Sequence, residues 1–123
     1  MANLSAEQSA QVGNVVATTS EYVKQLNDAL NAAFHTNKDE LASQLLTKLQ
    51  DAINLKAAAV DLQNITTLDA LKPAVINFQT TAKKLSDQKV QIDAIVNAVG
   101  TIATVISTIN QIAASVAKLV TML

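Results

Sequence analysis

From Ile92 to Leu123 the apolar residues recur every seven positions, in three neighbouring rows. One row reads Ile92, Val99, Ile106, Ala113, Val120; the next reads Ile95, Ile102, Ile109, Val116, Leu123; and beside them run Ala98, Val105, Ile112, Leu119. Rows of that spacing lie side by side only on a helix of period 3.5 to 3.6. The opposite face is polar but uncharged, with Asn97, Thr101, Thr104, Ser107, Thr108, Gln111 and Ser115, and only Asp93 and Lys118 carry charge. The pattern predicts a long C-terminal helix that lays a broad aliphatic stripe against a partner. The residues expected to carry that contact are Ile92, Ile95, Val99, Ile102, Val105, Ile106, Ile109, Ile112, Val116, Leu119, Val120 and Leu123.

The preceding residues divide into three further helical segments. Ser5 followed by Gln8 fits a capping box, in which each side chain satisfies the other's orphan backbone N–H. The first helix then presents Val12, Val15, Val16, Thr19, Tyr22, Val23, Leu26, Ala29, Leu30 and Ala33 on one face. Residues 34–40 interrupt the pattern. Thr36 or Asn37 is suited to cap a second helix, with Asp39 and Glu40 placed against the positive end of its dipole. The second helix repeats at Leu46, Ile53 and Val60, with Ala42, Leu45 and Leu49 alongside, and ends near Asn64. A loop follows, with room for one turn capped by Thr67. Proline is tolerated at the first position of a helix and disruptive inside one, so the third helix is expected to start at Pro73, with Val75, Phe78, Ala82 and Leu85 inward.

Ser86-Asp87 offers a cap for the fourth helix. Yet the sevenfold row Leu71, Phe78, Leu85, Ile92, Val99 runs straight through it. Helices three and four are therefore either two elements or one of about fifty residues, roughly 75 Å long at 1.5 Å per residue. The expected fold is all-α: a single domain over residues 1–123, an elongated bundle of four helices running up-down-up-down, with a long C-terminal helix.

Composition sharpens that picture. Gly13, Gly100 and Pro73 are the only glycines and proline in 123 residues, too few for the turns of a β protein. Aromatic residues make up 2% while 50% are apolar, so the core must be built from Ala, Val, Leu and Ile. Charged residues make up 15%, against about 25% in an average domain. The nine basic residues are all lysine. Without arginine's bidentate fork, and with a net charge of −1, nucleic acid is not an expected partner. Lys83, Lys84 and Lys89 form the one basic cluster, and a solvated helix face accounts for it. There is no cysteine, hence no disulfide or thiolate metal site. The N-terminal residues lack the basic start and apolar run of a Sec-type signal peptide, so cytoplasmic residence is expected; leaderless export leaves the same sequence.

Candidate chemistry is sparse. His35 is the only histidine, and the carbonyl-rich end of the first helix suits it. Asp39-Glu40 is explained by a helix first turn. There is no Glu-x-x-His pair, Gly-rich phosphate loop or supported nucleophile–base set. No catalytic, cofactor-binding or metal-binding residue is assigned, and the chain is not expected to be an enzyme. The uncharged stretch between Asp93 and Lys118 is long enough to span a bilayer, but its Ser, Thr, Asn and Gln side chains would need partners there. The expected function is a structural, self-assembling helical subunit of filament or coat type, whose partner is a copy of itself or another helical protein. The alternative is a membrane-active protein: a pore former with its helices apolar outside and polar inside, or a bundle that coats lipid or another hydrophobic surface.

Overall fold

Capping chemistry fixes the start of the first helix. A computed structural model describes residues 3–100 and 105–123. α1 (Ala6–His35) opens with the expected capping box: Gln8 N donates to Ser5 Oγ at 3.1 Å, and Ser5 N donates to Gln8 Oε1 at 2.9 Å. Its end is set by Asn37, which sits in the left-handed region at φ 57°. Asn37 N donates to the Phe34 carbonyl and Lys38 N to the Ala33 carbonyl, the paired bonds of a Schellman motif. Asparagine can take this role because it tolerates positive φ better than other non-glycine residues. Asn37 is thus consumed in ending α1. The N-cap of α2 (Asp39–Gln63) is Lys38, with no side-chain cap bond, rather than Thr36 or Asn37.

α3 (Leu68–Asp87) begins five residues before Pro73, at an N-cap Thr67 whose Oγ1 accepts from Ala70 N at 3.4 Å. The expectation that Pro73 opens this helix is corrected. Thr67 and Asp69 make a good first turn, and Pro73 falls in the second. There it removes one donor to the exposed Asp69 carbonyl, which solvent can satisfy. The residues before α1 are tied to the same corner: Leu4 N donates to the Thr66 carbonyl.

The choice between one and two helices after Pro73 resolves to two. α3 ends at Asp87, and α4 (Lys89–Val99) starts beyond Gln88, whose φ of −99° and ψ of 0° break the ladder without glycine or proline. A second interruption was not expected. α4 ends at Gly100, which is left-handed at φ 94°, and α5 (Val105–Thr121) is a separate helix. Lys89 Nζ donates to Asn110 Oδ1 at 2.9 Å. In one straight helix those residues would lie about 30 Å apart, so the chain doubles back between them. The long C-terminal helix is therefore two, and the described residues form five helices.

The buried apolar residues of all five helices join in one aliphatic cluster, with Tyr22 and Phe78 its aromatic members. α1 packs most extensively on α2, and α5 packs on both α1 and α3. Three polar contacts hold the ends in place. Gln8 Nε2 donates to the Met122 carbonyl at 2.7 Å, and Gln11 Nε2 donates to the Ser115 carbonyl at 2.9 Å. Lys38 Nζ donates to the Ala98 and Val99 carbonyls, placing a cation on the negative end of the α4 dipole.

Candidate interaction surfaces

The C-terminal stripe is mostly interior. Ile92, Val99, Val105, Ile109, Ile112, Val116 and Leu119 are buried against the chain's own helices. Ile95, Ile106, Val120 and Leu123 are half-buried, and Ile102 lies outside the described residues. The stripe is thus brought together as a core on both sides of the Gly100 break, with only its margins reaching solvent. Thr108, on the expected polar face, is buried as well.

The opposite outcome holds on α2. Leu46, Ile53 and Val60, expected on its inward face, remain 45%, 49% and 38% exposed. The buried positions of this helix are Ala42, Leu45, Leu49, Ala52, Leu55, Ala59 and Leu62. At 3.5 to 3.6 residues per turn, Leu46, Ile53 and Val60 stack into one line beside the Ala42–Leu49 edge. The row next to them on the solvent side is Ser43, Gln50, Ala57 and Asn64, all exposed and uncharged. α2 therefore displays an aliphatic ridge of two helical turns on each side of Ile53, uncharged along its solvent side, with Lys56 beside Ile53 and Val60 on the other side.

On the other flank of α2 a cavity of about 410 Å³ opens toward α3. Alanines leave the room: Ala52 and Ala58 line it from α2, where larger side chains would close the gap. Tyr22 of α1 forms part of its wall while remaining 1% exposed. Burial, and secondarily the charge of Asp51, push the Tyr22 phenol above its ordinary pKa. A smaller cavity of about 270 Å³ continues along the same helices and shares Ala58 and Thr81. The sequence placed Tyr22 on the inward face of α1, but no sequence signal announced the cavity, because it depends on the separation of α2 and α3.

The remaining candidates are ordinary surface features. His35 lies in the last turn of α1, exposed, and Asp39 and Glu40 in the first turn of α2. Lys83 is exposed on α3 and Lys89 reaches Asn110, while Lys84, also exposed on α3, lines the cavity toward α2. Among the described residues no group of three or more His, Asp or Glu side chains could hold a metal ion, and no helix is long and apolar enough to cross a membrane. No family model matches the chain, and neither a curated protein nor a solved structure was found to resemble it.

Proposed function

We propose that this chain is a non-catalytic helical subunit that associates with copies of itself. The observation that carries the reading is the Leu46–Ile53–Val60 ridge: three large aliphatic side chains in register on one helix, in a protein that buries its other long aliphatic rows. An antiparallel pairing of two α2 helices sets Ile53 against Ile53 and Leu46 against Val60. The uncharged Ser43, Gln50, Ala57 and Asn64 border that seam without like-charge repulsion. In this reading α3 and α4 together form one kinked arm, so five helices make four arms in up-down-up-down order. The ridge then runs along the side of an elongated bundle, and the half-buried stripe residues Ile95, Ile106, Val120 and Leu123 supply secondary contacts to a filament or coat.

Sedimentation equilibrium over a wide concentration range tests the reading, with liposome flotation and dye leakage on the same preparation. Reversible oligomers and no flotation are expected. A monomer at every concentration contradicts self-association. A monomer that floats and releases dye moves the ridge to a membrane-active role.

A further inference from the structure

We propose that the cavity between α2 and α3 is a binding site for a small apolar amino acid in its zwitterionic form. This site is on the opposite flank of α2 from the ridge and does not depend on self-association. The first ground is Tyr22. Its side chain is 1% exposed and lines the cavity, and its hydroxyl, which makes no hydrogen bond to another described residue, keeps its access to that cavity. A polar group of a ligand can therefore reach the hydroxyl from the cavity.

The second ground is the pair of charges at the same cavity. Asp51 of α2 and Lys84 of α3 both line it, and they are paired neither with each other nor with any other described group. A ligand ammonium can donate to the Asp51 carboxylate and the Tyr22 oxygen together, while a ligand carboxylate accepts from Lys84. The third ground is the wall. Leu55, Ala58 and Leu85 are aliphatic and offer an apolar side chain the contact that Asp51 and Lys84 do not. The volume of about 410 Å³ falls in the range of small-molecule pockets, roughly 300 to 1,000 Å³. An amine alone uses only the Asp51 side and is repelled by Lys84, and a carboxylate alone meets the converse.

The test is a titration of the full chain with L-leucine, followed by calorimetry and by amide NMR shifts. The two halves of that probe serve as comparisons: 3-methylbutylamine, which lacks the carboxylate, and 4-methylpentanoate, which lacks the ammonium. Saturable leucine binding is expected, with shifts centred on Tyr22, Asp51 and Lys84, and each half binding about tenfold more weakly or worse. Asp51→Asn and Lys84→Met, both exposed positions that leave the core intact, should each weaken leucine about tenfold. Tyr22→Phe should weaken it as well. Absence of saturable binding by all three probes up to about 10 mM overturns the proposal. So does leucine binding unchanged in Asp51→Asn and Lys84→Met, and an amine that binds as well as leucine overturns the zwitterion assignment.

Discussion

At the scale of single residues, Tyr22 is the position where local chemistry and packing disagree. Its ring fills the core, while its hydroxyl has no hydrogen bond among the described residues. Deleting a hydroxyl that bonds to no other protein group is close to neutral, or stabilising as far as the group is desolvated. Tyr22→Phe is therefore expected to leave thermal stability unchanged or raise it by up to about 1 kcal/mol. A loss larger than that, measured by denaturant unfolding, would mean that the hydroxyl is bonded inside the protein. The same substitution has a signature in pH. The folded-state pKa of Tyr22 lies above its unfolded value, first because of burial and then because of Asp51. Unfolded tyrosine loses its proton near pH 10 while the folded one keeps it, so this group's contribution is fully present below about pH 10 and declines as pH rises above it. The wild-type chain should lose stability above that pH more steeply than Tyr22→Phe; equal slopes would refute the assignment. The capping box at Ser5 and the inward direction of Tyr22 were legible in the sequence because both rest on short spacings. The Schellman role of Asn37 was not, since Asn37 suits the start of α2 as well as the end of α1, and only the backbone decides between them.

At the scale of elements, Gly100 separates two descriptions of the C-terminal third. The apolar rows run through it in phase, Val99 to Ile106 and Ile95 to Ile109, because α4 and α5 both turn their apolar faces to the same core. Periodicity alone therefore predicts one helix where there are two. The glycines give a test with opposite signs. Gly13 lies inside α1, and a Cβ there meets nothing within 4 Å. Gly13→Ala should thus stabilise by about 0.5–1 kcal/mol through helix propensity. A Cβ at Gly100 also meets open space, but the backbone there is left-handed at φ 94°. Gly100→Ala should cost about 1–2 kcal/mol. If both substitutions stabilise, the break at Gly100 is wrong. The face of α2 was misread for a related reason. Its apolar residues cover more than half the helix, from Leu55 and Leu62 round to Leu46 and Ile53, so the pattern could not choose the edge that faces inward. The choice was made by where α1 and the later helices pack.

At the scale of the whole molecule, most large aliphatic residues lie in the core; of those left exposed, Leu46, Ile53 and Val60 form a ridge while Ile76 and Val90 stand singly. The stripe that dominates the sequence is used chiefly to hold α4 and α5 onto the other helices, and the exposed row is on α2. Fold class was legible because few turn formers and long 3.5-residue periodicity leave little other than helices. Which stripe stays outside was not, because burial is a property of the assembled bundle. The most direct test pairs Ile53→Asp with Ile109→Asp, each followed by far-ultraviolet circular dichroism and sedimentation equilibrium. Ile109 is 1% exposed, so a carboxylate there should cost at least about 4 kcal/mol and unfold most of the chain. Ile53→Asp should keep the wild-type spectrum and sediment as a monomer at concentrations where the proposed self-association makes the wild type oligomeric. A folded Ile109→Asp that loses its oligomer, beside an Ile53→Asp that keeps it, would place the interface on the C-terminal stripe and contradict this account.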